Sequence, residues 1–413
     1  MREVFVAGVS MTPFGIHKEL SVGDLARMAT QSALDDAGVT DAQIEMVYFA
    51  NTAQGSMEGQ HAVRAQHALR PMGFDGCPMV NTENACAGSA VAFNQAFAQV
   101  AGGLHDIVLA VGAEKLHTDD RAKRLAVFGQ PMDLAGVTEF VNTYSPDVAD
   151  ILPPANVVVD ESMRSIFLDT YAILARMHMK RYGTTWEQIA MVSEKNHRHS
   201  TMNPLAQFQK AIPMEKILGG RVISWPLTIP MCAPVSDGAA AAVLCSREGL
   251  QRLQAQHPKI RVLGAQLVGG GRRSPYDTEA AALHKAARKA YAQAGIEPSQ
   301  IQVAEVHDAS AYAEINQIEL IGLCGFGEGG RFTESGATTL GGRVPVNTSG
   351  GLQSKGHPIA ATGLGQIYEL VQQLRGTAGA RQVDGVRLAV AACGGGFMGV
   401  EEAIASVSVL GRE

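Results

Sequence analysis

One segment of the chain recurs in its second half. Ala33-Leu34-Asp35-Asp36-Ala37-Gly38-Val39-Thr40-Asp41-Ala42-Gln43-Ile44 lines up with Ala290-Tyr291-Ala292-Gln293-Ala294-Gly295-Ile296-Glu297-Pro298-Ser299-Gln300-Ile301. Each piece reads as a helix end, a glycine stop, a polar turn and an incoming strand. In register beyond it, the strand Met46–Ala50 matches Val303–His307, the helix that follows Cys86 matches Ala361–Leu374, and the strand Asp106–Gly112 matches Val386–Ala392. Agreement of helix, turn and strand in the same order predicts two copies of one α/β unit. At 413 residues the chain exceeds one usual core, and a duplication accounts for that length. Continuous apolar strands such as Val4–Val9 alternate with helices such as Leu25–Ala37, which predicts βαβ units with sheets covered on both faces.

The copies differ in one place. In the second, Val386–Ala392 is followed at once by Cys393-Gly394-Gly395-Gly396 and a last strand, Val400–Val409. In the first, the matching closing strand, Asp237–Cys245, comes only after a long insertion at 117–225. The expected division is an N-terminal half at 1–250, with that insertion inside it, and a C-terminal half at 258–413. The insertion carries an expected helix near Ser165–Tyr182 and another at Thr184–Asn196, opened by a Thr184-x-x-Glu187 capping box. An insertion of that length between adjacent strands usually covers a functional edge.

Charge and cysteine usage exclude several classes. A formal charge of −6 with acids and bases interspersed leaves no basic stripe for nucleic acid. The six cysteines are far apart and form no CxxC pair, which argues against a disulfide framework or structural zinc and for a reducing compartment. The N-terminal run is too short and glycine-interrupted for a signal peptide, and no window reaches membrane-spanning length, so a cytoplasmic location is expected.

The chemistry gathers at equivalent ends of the two copies. Cys86 stands at a helix start, where unpaired N–H groups and the helix dipole favour a thiolate. Gly356-His357-Pro358 stands at the matching helix start of copy two, while His307-Asp308-Ala309-Ser310 and Cys393-Gly394-Gly395-Gly396 lie beyond strand carboxyl ends, where open α/β sheets place ligands. A thiol needs a base, which His supplies near neutral pH, and glycine N–H groups can hold a developing oxyanion. A second cysteine can move a proton on carbon. Taken singly, each has a plainer reading: an inert core cysteine, a glycine turn, a His-Asp capping pair. A Cys2His2 metal site lacks ligand pairs at short spacing, and the glycine runs fit neither phosphate-loop pattern.

Asn84-Ala85-Cys86-Ala87-Gly88-Ser89, the segment from Asn347 to Thr362 containing Gly356-His357-Pro358, and Cys393-Gly394-Gly395 together resemble the thiolase family over nearly the whole chain. The resemblance implies duplicated βαβαβαββ halves, a five-layer αβαβα core and an inserted loop domain. It implies that Cys86 takes an acyl group from a 3-oxoacyl-CoA, that His357 activates Cys86, and that Cys393 moves the α-proton. It also implies one oxyanion hole from the N–H groups of Cys86 and Gly395. A second would come from His357 with His307, which stands where much of the family has an Asn-based group.

The His-Asp start is similar to the sterol-carrier-protein-type branch. That branch often carries an aromatic residue two positions after the Asp, where this chain has Ser310. Ala309 and Ser310 are therefore expected to widen the acyl pocket for a bulky, branched or aromatic group. CoA is implied as substrate with no permanently bound cofactor or metal, in a homodimer or homotetramer. Some relatives of this branch work with a small, separately encoded zinc-ribbon/OB-fold protein, which makes such a protein a partner to test. The competing readings are a ketoacyl-synthase-like condensing enzyme, against which Cys393 argues, and a non-catalytic acyl-CoA or lipid-binding subunit, which would need neither cysteine nor histidine.

Overall fold

The computed structural model describes residues 1–120, 123, 127, 129–159, 165–253 and 257–413. The first half runs β1 (Val4–Met11), α1 (Val22–Ala37), β2 (Met46–Ala50), α2 (Arg64–Leu69), β3 (Met79–Thr82), α3 (Gly88–Ala101) and β4 (Ile107–Glu114). An insertion then carries α4 (Leu134–Tyr144), α5 (Ile166–Tyr182), α6 (Trp186–Ser200) and the short strands β5 (Val222–Ser224) and β6 (Leu227–Thr228), before β7 (Gly238–Ser246). The second half runs β8 (Ile260–Gly269), α7 (Ala282–Ala294), β9 (Val303–Val306), α8 (Ala311–Leu320), α9 (Thr362–Arg375), β10 (Leu388–Met398) and β11 (Glu401–Arg412).

The duplication is visible in the strand pairing. β2 runs parallel to β3 and β4, β4 antiparallel to β7, and β7 antiparallel to β1. Likewise β9 runs parallel to β10, β10 antiparallel to β11, and β11 antiparallel to β8. The third strand of the second half shrinks to a bridge between Ala304 and Val346. Two residue pairs, Phe5–Arg261 and Val6–Ile260, join the half-sheets in the order β3-β2-β4-β7-β1-β8-β11-β10-β9.

The period of two along each strand builds the layers. Ile107, Leu109 and Val111 pack outward with Leu25, Ala29 and Ala33 of α1, while Val108 and Ala110 face inward onto α3 and α9. In the other half Val390 and Ala392 pack outward with α7, and Ala389 and Ala391 face the same central helices. The result is helix, sheet, paired central helices, sheet, helix.

Local boundaries differ from the sequence reading in three instructive places. Helix α1 begins at Val22, because Ser21 and Asp24 form a reciprocal capping box that starts it earlier; it ends at Gly38 with φ 65° as expected. Helix α6 is capped by Thr185 with Gln188, whereas the hydroxyl of Thr184 pairs with His178. Cys393 to Gly396 lie inside β10, which runs on to Met398, instead of in a turn after the strand.

The insertion does not float free. Val137, Phe140, Tyr171 and Ile189 share a core with Tyr312 and Ile315 of α8, so it is anchored on the second half. Within the predicted 117–225 segment, residues 121, 122, 124–126, 128 and 160–164 lie outside the described residues. Among the described residues no helix is long and apolar enough to cross a membrane.

Candidate active site

Helices α3 and α9 begin side by side because their first turns are built from small residues. A Cβ on Gly363 would fall 2.6 Å from the backbone nitrogen of Ala90, so the two backbones touch there. The Leu364 N–H donates to Ser89 Oγ at 3.1 Å across the same seam. The loops ahead of both helices are thereby forced together, and they carry Cys86 and His357.

Cys86 sits in a single 3-10 turn, Ala85–Ala87, directly before α3. Ala85 adopts φ 47°, a left-handed conformation that costs an L-residue energy and persists here because the loop is pinned. The pin is Glu83, whose carboxylate accepts the Ala85 N–H at 2.7 Å. Cys86 Sγ and one imidazole nitrogen from each of His307 and His357 lie within 4.8 Å of one another, all three residues buried. The imidazole rings of His307 and His357 meet edge-on, centroids 5.2 Å apart. Cys393 completes the group from β10, its thiol donating to the Cys86 carbonyl at 3.3 Å. Gly395 lies against the Cys86 loop so closely that a Cβ there would fall 2.2 Å from the Asn84 oxygen. All four predicted reactive side chains are thus brought to one chamber, with the Gly395 backbone beside them.

The hydrogen bonds set the tautomer of His357. Thr362 Oγ1 donates to the Pro358 carbonyl at 3.1 Å, which spends its only hydrogen. Its 2.7 Å contact with His357 Nδ1 must then be a hydrogen bond donated by Nδ1–H. That leaves Nε2 unprotonated and able to take a proton from a thiol. Ser236 Oγ accepts the His357 N–H at 2.8 Å and holds the residue from the other side. Replacing Thr362 by Val removes the tautomer lock, and turnover is expected to fall about tenfold, one hydrogen bond's worth, with Thr362→Ser restoring it. Steady-state kinetics on the three proteins checks this.

His307 is different, since among the described residues neither of its ring nitrogens has a partner although the residue is 2% exposed. Burial pushes its pKa down to about 4, so the imidazole stays neutral and presents one N–H into the chamber. Its backbone is held by Gln317, whose side-chain oxygen accepts the His307 N–H at 2.8 Å. Asp308 anchors the loop to copy two, accepting from Leu352 N at 2.7 Å, Gln353 Nε2 at 2.9 Å and Asn196 Nδ2 at 2.9 Å.

Electrostatics corrects one expectation. Desolvation pushes the Cys86 thiol up to about 12, with Glu402, Glu114 and Glu83 adding to it, and this outweighs the field of the helix start. Burial, then His307 and Lys355, holds His357 well below the ordinary histidine range. The resting pair is therefore neutral thiol and neutral imidazole, and proton transfer has to accompany attack. Cys393 is likewise raised, by burial and then by Cys86 and Glu402.

A cavity of about 600 Å³ opens onto Cys86 and His357. Phe167, Leu168, Phe208, Ile212, Ile223 and Ile229 give it apolar walls, all but Ile229 supplied by the insertion. Phe208 and Ile229 are 42% and 43% exposed, as expected of the rim of an open channel. Ala309 lines the cavity and Ser310 does not, because the Ser310 hydroxyl caps α8 by accepting the Ala313 N–H. Any gain in width at this point therefore comes from Ala309 and from the missing aromatic ring, with no hydroxyl presented to a ligand.

The sequence matches the family described as Thiolase, N-terminal domain, over residues 4–219, and the family described as Thiolase C-terminal domain-like over residues 273–412. The chain belongs to the thiolase family. Sterol carrier protein 2 of Bos taurus is 36% identical over 399 residues, covering 94% of this chain and 69% of the relative. Acetyl-CoA acetyltransferase of Methanothermobacter thermautotrophicus is also 36% identical over 399 residues, covering 94% of this chain and 95% of the relative. Benzoylsuccinyl-CoA thiolase subunit BbsB of Thauera aromatica is 33% identical over 393 residues, covering 93% and 92%. Among solved structures, the Ltp2–ChsH2(DUF35) aldolase is similar with a TM-score of 0.77 at 25% identity, covering 99% of this chain and 98% of that one. This thiolase is accordingly an acyltransferase near the sterol-carrier-protein branch.

Sequence reasoning missed the groups that hold the thiolase chamber in place. Thr362 was legible in principle, standing five residues after His357 as the first residue of α9. Ser236, Gln317 and Glu402 come from distant segments, and no local pattern marks them.

Proposed function

We propose that this thiolase cleaves or, in reverse, forms a 3-oxoacyl-CoA through an acyl-Cys86 intermediate, with CoA as co-substrate and a bulky, branched or aromatic acyl group. The juxtaposition of Cys86, His307 and His357 within 4.8 Å carries the reading. In the cleavage direction His357 Nε2 takes the thiol proton as Cys86 attacks the 3-oxo carbon, and the N–H groups of Cys86 and Gly395 receive the oxyanion. Breaking the carbon–carbon bond yields a CoA enolate whose oxygen His307 and His357 accommodate and whose carbon Cys393 protonates. CoA thiol then attacks the acyl-Cys86 thioester and gives its proton to Cys393, while the departing Cys86 thiolate recovers its own proton from His357.

The wide apolar cavity supports the bulky acyl group, as does similarity to a benzoylsuccinyl-CoA thiolase subunit. Similarity to an aldolase solved with a DUF35 protein supports testing a small separately encoded partner, added alongside a homodimer or homotetramer of this chain. The test is intact-protein mass spectrometry after mixing with acetoacetyl, branched and aryl 3-oxoacyl-CoA thioesters. An acyl adduct is expected, largest with the aryl or branched members and absent in Cys86→Ala. An adduct that survives that substitution removes Cys86, and a clear preference for acetoacetyl-CoA removes the bulky acyl group.

A further inference from the structure

Behind the catalytic chamber, on the far side of β10, stands a carboxylate that the reaction above does not use. A Cβ on Gly394 would fall 1.8 Å from Glu402 Oε1, so this carboxylate occupies the space where residue 394 would carry a side chain. Gly394 lies between Cys393 and Gly395, the two parts of β10 that face the chemistry. Glu402 Oε1 also accepts from Gln317 Nε2 at 3.4 Å, and the oxygen of the same Gln317 amide holds the His307 N–H. One carboxylate is therefore tied to two of the second-half contributors to the chamber, Cys393 by way of Gly394 and His307 by way of Gln317. It also lines a cavity of about 70 Å³ with Tyr171, Arg273, Gln317 and Phe397, distinct from the acyl channel.

We infer that Glu402 is a positioning residue that braces β10 beside Cys393 and that, once ionised, opposes thiolate formation at Cys86. The inference rests on Cys86 being the nucleophile. Desolvation, and next the neighbouring Glu401, pushes Glu402 up to about 8, against the opposing pull of Arg273 and the Gln317 hydrogen bond. Glu402 is the foremost charged group acting on Cys86, ahead of Glu114 and Glu83. It acts in the same direction on Cys393, where Lys355 opposes it, and on Tyr171, which also faces Asp308. His307 and His357, neutral throughout this range, contribute no charge. Below pH 8 the carboxyl is protonated and the thiol is free of its repulsion. Above pH 8 the negative charge holds the thiolate back.

The experiment is the rate of Cys86 alkylation by iodoacetamide between pH 6 and 10, mapped by mass spectrometry, in wild type, Glu402→Gln and Glu402→Asp. Because it reads the thiol directly, a failed substrate panel leaves it intact. Near pH 6.5 the wild type and Glu402→Gln should react alike; near pH 9.5 Glu402→Gln should be about tenfold faster, one unit of thiol pKa. Glu402→Asp, which keeps the charge, should follow the wild type. A ratio between Glu402→Gln and wild type that does not change with pH overturns the proposal, whatever its size. The wild-type profile supplies a second readout if Glu402→Gln does not fold. A lag of about one log unit near pH 8 that persists in Glu114→Gln, which removes the other carboxyl that acts on Cys86 and is pushed up to about 7, supports the proposal, and an unbroken unit slope overturns it.

Discussion

A Cys393→Ala variant is expected to load an acyl group onto Cys86 from a simple acyl-CoA at close to the wild-type rate, while carbon–carbon cleavage and formation fall by about 10²–10⁴-fold, the usual range for removing a general acid–base group. The separation follows from geometry. Acylation needs the Cys86 thiol, an unprotonated His357 Nε2 and the oxyanion N–H groups, and the tautomer lock through Thr362 does not involve Cys393. Among the described residues the Cys393 thiol meets residue 86 at its carbonyl, at 3.3 Å, so it sits beside the nucleophile without being its base. Cys86→Ala is the matching control and should lose both steps. Quench-flow acylation with intact mass readout, set beside turnover of a 3-oxoacyl-CoA, distinguishes the two. Equal loss of both steps in Cys393→Ala would show that Cys393 takes part in acylation and would remove the division of labour.

The duplication made most of this architecture legible, because a repeat fixes pairing as well as element type. Once Asp106–Gly112 is matched to Val386–Ala392, the positions of Cys86 and His357 at equivalent helix starts follow, and so does their meeting. What the repeat could not supply was the local setting. The ionisation state of Cys86 depends on burial among Ala53, Met57, Leu116, Val127 and Ile359, which come from distant stretches of the chain. Ser310 was misplaced because a polar residue at a helix start has two outlets, a ligand or its own backbone. The Ala313 N–H, three residues on, takes the hydroxyl. Cys393-Gly394-Gly395-Gly396 reads as a turn by composition. It is held in the strand by pairing with Ser406, Ala405 and Ile404, a long-range constraint that no local glycine rule contains.

His307→Ala is expected to lower turnover by about 10²–10³-fold, the range for an oxyanion donor, with KM little changed and with acylation of Cys86 retained. Among the described residues the ring has no partner at either nitrogen, so its hydrogen bond is available to a ligand oxygen. Held near a pKa of about 4 by burial, it donates as a neutral imidazole across the working range and should add no inflection to the pH–rate profile above pH 5.

The same feature has a stability signature of known sign. Between about 4 and the ordinary value of 6.5 the unfolded chain binds a proton at this residue that the folded chain does not. Stability is therefore lost as pH falls through that window, by up to about 3 kcal/mol for a shift of this size. Asp308 and Glu402, both pushed up to about 8, act in the opposite sense, so the wild-type curve alone does not isolate the histidine. The difference between wild type and His307→Ala does. Denaturant unfolding at pH 7 and pH 4.5 should show the variant gaining on the wild type at the lower pH while remaining catalytically poor at both. If the two proteins keep the same stability difference at both pH values, His307 takes up its proton in the fold as readily as in the unfolded chain, and burial does not hold the ring neutral below pH 6.5.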